Sequence, residues 1–188
     1  MSLTMNIHYP ANLVKIYLAG GYPSRHLLEG FATVLQEEPQ FSSHFFVVST
    51  WHENPSASSN NYKDYDDTKN PARLFLEASN DLQELGEADV LVLFPDSLGK
   101  SRGGKYFEAG FALGAGKEVV CLGPPESVFD HHPRLRAHRI DLNLRPEFLR
   151  AESKPSAPAL TDSWCLNTVA MIVNAVSHAY THRSGARS

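Results

Sequence analysis

The chain has 188 residues, 42% hydrophobic and 20% charged, with a formal net charge of -4. That length and apolar content suit one ordinary globular domain, and the acidic balance excludes a protein that grips a nucleic-acid polymer through its phosphates. No apolar run reaches the ~18 residues that would cross a membrane, and the opening MSLTMNIHYP lacks the basic-then-apolar order of a secretory signal.

Residues 14–19, VKIYLA, are short, apolar and β-prone, and Gly20-Gly21 turns the chain after them. From 23 to 38, Leu27, Leu28, Phe31, Val34 and Leu35 recur at helical spacing, with Pro39 beyond. Residues 45–49 form a second strand. Residues 51–70 are a polar loop rich in Ser, Asn and Asp, of the length often used as a functional lid. Residues 71–87 predict a helix with Leu74, Phe75, Ala78, Leu82 and Leu85 on one face. Residues 88–94, ADVLVLF, are nearly all apolar, as in a central parallel strand covered on both sides.

A Gly-, Ser- and Lys-bearing loop follows at 97–104, then a helix at 106–116 and a strand at 118–122, stopped by Gly123-Pro124-Pro125. The stretch 129–139 holds His131, His132 and His138 with Arg134, Arg136 and Arg139. It reads as a solvated loop, or one touching a ligand or neighbouring subunit. Adjacent histidines point apart and do not make a metal site. A short fifth strand is expected at 138–141, a Pro/Ser linker at 154–158 and a last helix at 161–182.

Alternating strands and helices predict an α/β chain: a single doubly wound domain, flavodoxin- or Rossmann-like, with about five parallel strands and an extra C-terminal helix. The domain spans 1–150, and 151–188 are linker and helix, packed on it or on a partner subunit. Ligands of such sheets bind beyond the carboxyl ends of the strands, where strand order reverses. The loops after Ala19, Ser49 and Phe94 are expected to meet there. Cys121 and Cys165 are isolated and lack metal or disulfide spacing, so they read as reduced, buried thiols of a cytoplasmic protein.

Glu108 follows Gly103-Gly104 in a helix that also carries Gly110 and Gly114. A carboxylate in the first turn of that helix would be kept ionised by the helix dipole, which suits a nucleophile. Asp81, in Ser79-Asn80-Asp81-Leu82, has apolar helical neighbours and is expected near the sheet edge. Tyr17 and Gly20-Gly21 end the first strand, where free backbone N–H groups can hold an anion. No metal and no cofactor is expected.

These residues form one pattern. Asp81-Leu82-x5-Ala88-Asp89-Val90-Leu91-Val92, a Gly-Gly loop, and Tyr106-Phe107-Glu108-Ala109-Gly110-Phe111-Ala112-Leu113-Gly114-x-Gly116-Lys117-Glu118-Val119-Val120 resemble the nucleoside 2-deoxyribosyltransferase superfamily. That group includes 2′-deoxynucleoside 5′-phosphate N-hydrolases and pyrimidine nucleotide N-ribosidases. Ile16-Tyr17-Leu18-Ala19-Gly20 resembles its first strand and loop. Val48-Ser49-Thr50-Trp51 and Gly123-Pro124-x3-Val128-Phe129 resemble its bacterial and phage members. The likeness spans residues 14–141. It implies that Glu108 attacks C1′ of the sugar to form a covalent glycosyl-enzyme, that Asp81 protonates or orients the departing base, and that Tyr17 orients Glu108. This is the logic of a retaining glycosidase.

Transferases of this type carry an Asp six residues before the Glu, to hold the sugar 5′-hydroxyl. Arg102 stands there in this chain. An arginine suits a 5′-phosphate, and Arg25 is a second phosphate donor. The expected substrate-binding residues are Gly20, Gly21, Arg25, Trp51, Ser101, Arg102, Gly103 and Gly104. The expected function is hydrolysis of the N-glycosidic bond of a (2′-deoxy)nucleotide or nucleoside. Base exchange between nucleosides and a non-catalytic nucleotide-binding module are the alternatives. The resemblance also implies a homodimer or higher homo-oligomer, consistent with the apolar content of the helices after Pro71 and Gly104.

Overall fold

The computed structural model describes residues 12–21, 25–53, 71–95, 103–140 and 163–185. Five parallel strands form one sheet: β1 (Val14–Ala19), β2 (Phe45–Val47), β3 (Val90–Leu93), β4 (Glu118–Leu122) and β5 (Arg139–Ile140). Their spatial order is β2-β1-β3-β4-β5, so the order reverses between β1 and β3. Tyr17 lies opposite Leu91 and Ala19 opposite Leu93 across that central pair. The helices are α1 (Arg25–Glu37), a short α2 (Pro39–Ser42), α3 (Pro71–Glu87), α4 (Gly104–Gly114), a short α5 (Pro133–Arg136) and α6 (Ser163–Gly185). The expected doubly wound α/β architecture is present, its strands shorter than the apolar runs.

Period-two alternation sorts the strand residues between two cores. Ile16 and Leu18, Val90 and Val92, Val120 and Leu122 pack with Leu28, Phe31 and Leu35 of α1 and with Ile172, Val173 and Val176 of α6. Tyr17 and Ala19, Leu91 and Leu93, Val119 and Cys121 pack on the other side with Leu85 of α3, Ala109 and Ala112 of α4 and Leu135 of α5. The C-terminal helix lies on β3 and β4 beside α1. It supplies half of one helical layer.

Local chemistry fixes the helix ends. Gly103 at the N-cap of α4 and Gly116 beyond its end have φ of 86° and 71°, values that L side chains rarely adopt. Gly116 N–H donates to Leu113 O and Lys117 N–H to Ala112 O, which closes the helix. The buried Lys117 ammonium donates to the carbonyls of Gly86 and Ala88, at the end of α3.

The expected apolar face of α3 is only partly used. Leu85 is fully buried and Leu82 half-buried, but Phe75 is 71% exposed and Ala78 is exposed. The helix has 17 residues and β3 has 4. At ~1.5 Å per residue against ~3.3 Å, the helix is nearly twice as long as the strand it leads into. Its first turns therefore have no sheet beneath them.

Ile172 is fully buried between α6 and the sheet. Ile172→Ala is expected to lower unfolding stability by about 2–4 kcal/mol in urea titration. An unchanged midpoint would mean that α6 is not part of the cooperative core.

Candidate functional site

The reversal of strand order leaves a crevice beyond the carboxyl ends of β1 and β3. Tyr17 points from β1 to the side covered by α3 and α4, and it is completely buried. Its hydroxyl donates to Glu108 Oε1 of α4 at 3.0 Å. The two residues are 91 positions apart in the chain. Asp81 of α3 is close enough that its charge acts on both of them. Tyr17, Glu108 and Asp81, the three expected catalytic positions, therefore share one site.

The ionisation expected of Glu108 is corrected. Helix α4 begins at Gly104, so Glu108 stands a full turn inside it, and the first turn holds no acid. The dipole effect is confined to that first turn. Burial dominates: it pushes the Glu108 pKa up to about 8, the Asp81 charge adds to this, and the Tyr17 hydrogen bond opposes it. Asp81 is raised to about 6 by burial, then by Glu84 and Glu77. Tyr17 is raised far above its ordinary value, first by burial and then by the charges of Glu108 and Asp81. It stays protonated and acts as a donor. The two carboxyls titrate as a pair around neutrality.

The loop after β2 is tied down by three consecutive residues. Ser49 Oγ accepts from Leu18 N–H at 3.1 Å, and Trp51 Nε1 donates to Leu18 O at 2.8 Å. Between them, Thr50 N–H and Oγ1 donate to the two carboxylate oxygens of Glu84, at 3.0 and 2.6 Å. Trp51 is thus placed at the site, but its indole N–H is already used on β1. His52, the next residue, is buried, and burial lowers its pKa while the nearby Ser49 backbone opposes this.

The glycines divide. Gly20 meets Leu28 and Phe94, where an added Cβ would lie 3.3–3.4 Å from their side chains. Its smallness serves close packing of the turn after β1, in addition to any exposure of N–H groups at Gly20 and Gly21. Around Gly103, Gly104, Gly110 and Gly114 there is open space. Arg25 is the first residue of α1, just past the β1 loop. Ser101 and Arg102 lie outside the described residues, as does most of the polar loop after Trp51.

The basic stretch divides: His131, His132 and Arg136 are exposed, as expected of a solvated loop, whereas Arg134, His138 and Arg139 turn inward. Arg134 donates to Leu113 O and Lys117 O. Arg139 donates to Gly123 O and pairs with Asp130. His138 stacks edge-on against His178 and His182 of α6, beside Glu118. Among the described residues no three His, Cys, Asp or Glu side chains could hold a metal ion.

Sequence reasoning missed the groups that hold this edge together. Asp130 is buried and accepts from the Tyr106 hydroxyl and the Glu126 and Ser127 N–H groups, besides pairing with Arg139. The buried Lys105 ammonium pairs with Glu126 at 2.6 Å and donates to Phe94 O. The only sequence signal was Ser127-x-x-Asp130, a capping box.

Compared with protein-family models, curated proteins and solved structures, the chain has no match.

Glu108 and Asp81 bind protons more tightly in the folded chain than in the unfolded one. Their stabilising contribution is full below the unfolded carboxyl pKa. It is lost as pH rises through about 6 and then about 8. Glu108→Gln keeps an acceptor for Tyr17 and removes the half-buried charge. Its Tm is expected to exceed that of wild type by roughly 4–8 °C above pH 8, for about 2 kcal/mol. The two should agree within about a degree near pH 4.5. A pH-independent difference would mean that Glu108 is not a raised carboxyl.

Proposed function

We propose that this chain hydrolyses the N-glycosidic bond of a 2′-deoxynucleotide or nucleoside, with the 5′-monophosphate as preferred substrate, as its likeness to the nucleoside 2-deoxyribosyltransferase superfamily implies. The hydrogen bond from Tyr17 to Glu108, at the carboxyl edge beside Asp81, carries this reading. A half-buried carboxyl that is oriented by a neutral hydroxyl and lies near a second carboxyl suits a retaining glycosidase.

The steps follow from the pair. Tyr17 fixes Oε1 of Glu108 and leaves Oε2 to attack C1′. The bond from C1′ to the base nitrogen breaks, its electron pair goes to the base, and protonated Asp81 supplies the proton. A glycosyl ester on Glu108 results. Water then attacks C1′, the ester oxygen leaves as the Glu108 carboxylate, and Asp81 takes the proton from the water. In the free site Glu108 holds its proton to about 8 and Asp81 only to about 6, so the reactive form is the minor one in which that proton sits on Asp81; developing positive charge on the sugar favours it, because it stabilises ionised Glu108 in the transition state. Arg25 and Arg102 would meet a 5′-phosphate. No cofactor enters these steps.

The same reading includes a homodimer through α3 and α4. Phe75, Leu76, Phe107 and Phe111 are exposed on these two packed helices, and Gly110 and Gly114 beside the phenylalanines leave room for a close partner. Apolar surface of this kind on a soluble chain marks an interface. The working compartment is the cytoplasm, where buried Cys121, its thiol pushed up to about 11 by burial, stays reduced.

Purified protein is to be incubated with deoxynucleosides, deoxynucleotides and ribonucleotides, with and without a free base, and followed by chromatography. Base release from a 5′-monophosphate is expected, with kcat/KM bell-shaped between about pH 6 and 8. Glu108→Ala should abolish release, and Tyr17→Phe should slow it about 10–100-fold. New nucleosides only with added base would indicate base exchange. Nucleotide binding without release from any substrate would leave a binding module.

Light scattering on the full chain tests the dimer. A mass of two chains is expected, falling to one in Phe107→Glu. A monomeric wild type would remove the interface.

A further inference from the structure

Three facts meet at Glu84. It accepts both hydrogen bonds of Thr50, one from the backbone and one from the hydroxyl. Thr50 sits between two residues that both bind Leu18, the strand neighbour of Tyr17. Glu84 also lies three positions after Asp81 on α3, on the same side of the helix, and its charge acts on both Asp81 and Tyr17. Asp81 faces Glu77 and Glu84 on its own helix, Tyr17 from β1 and Glu108 from α4. Among these groups none is a cation.

We propose that Glu84 is a positioning residue of this site: it clamps the Thr50–Trp51 turn against β1 and is itself held there, one helical turn from Asp81. The inference rests on the glycosidase reading for its purpose, since Asp81 must carry a proton to the departing base. The two parts depend on one another physically. Two hydrogen bonds, one of them 2.6 Å, fix the direction of this carboxylate at the protein surface. Its distance from Asp81 is therefore set by Thr50. A mobile surface glutamate would be screened by water and counter-ions.

The test uses two variants of the full chain. In Glu84→Gln the charge is removed. The midpoint of Asp81, read by carboxyl-carbon NMR titration, is expected to fall by about 0.5 pH unit or more. The acid limb of base release should move with it. Glu77→Gln should give a smaller fall, because its effect on Asp81 is the weaker of the two. Thr50→Val removes only the hydroxyl tie. It should raise KM about three- to tenfold and speed exchange of the Trp51 indole proton with solvent, leaving kcat nearly unchanged. Thr50→Ser should restore both values.

An Asp81 midpoint that does not move in Glu84→Gln overturns the proposal, as does a loss of stability in both variants without change in titration, KM or exchange. Titration and exchange need no turnover. If the midpoint moves but wild type releases no base, Glu84 still tunes Asp81 and the glycosidase reading is the part that fails. If Glu84→Gln does not fold, the Thr50 pair decides: restored exchange in Thr50→Ser supports the clamp, and unchanged exchange in Thr50→Val removes it.

Discussion

The site depends on holding a half-buried carboxyl against a buried tyrosine at the end of a parallel sheet. Glu108 is drawn in by the fully buried Tyr17, whose hydroxyl finds its partner there. An ionised carboxylate in such a place is costly, and burial raises the pKa of Glu108. A neighbouring carboxyl, Asp81, makes ionisation of both harder still. Such an arrangement is a poor way to stabilise a fold, and it is the feature on which the proposed glycosidase reading rests.

Other charged groups of the fold have partners. At the amino end of the sheet, Lys117, Arg134 and Arg183 are spent on carbonyls at the ends of helices and the starts of strands. Cations there also complement the helix dipoles. At the carboxyl end, the half formed by β4 and β5 is neutralised by the pairs Lys105–Glu126 and Arg139–Asp130. Near the switch in strand order, between β1 and β3, stand the carboxyls Asp81, Glu84 and Glu108.

Helices α3 and α4 serve two ends. Their inner faces carry Asp81, Leu85, Glu108 and Ala109 toward the sheet, and their outer faces leave phenylalanines in solvent. Because α3 is longer than the strands beneath it, its first turns meet no sheet. Any partner covering them would also brace the helices that hold both carboxyls.

Local pattern alone determined much of this molecule. Apolar runs at 14–19, 88–94 and 118–122 and the helical periodicity at 23–38 and 71–87 identify their elements, because period and burial are written residue by residue. Glu108, Asp81 and Tyr17 were legible as a group through a motif spread over the chain. The use of the charges was not legible. The basic stretch at 129–139 reads as a surface, yet Arg134 and Arg139 turn inward because carbonyls and Asp130 await them. Glu108 reads as a first-turn carboxylate kept ionised, yet it lies a turn deeper and is raised. Nothing local in the sequence gives the contact of Thr50 with Glu84, and Asp130 shows only its capping box with Ser127. Sequence fixes which residues can form strands and helices, since those preferences are short-ranged. Only the tertiary structure decides which charges lose their water and which groups replace it, because desolvation depends on neighbours brought together from distant parts of the chain.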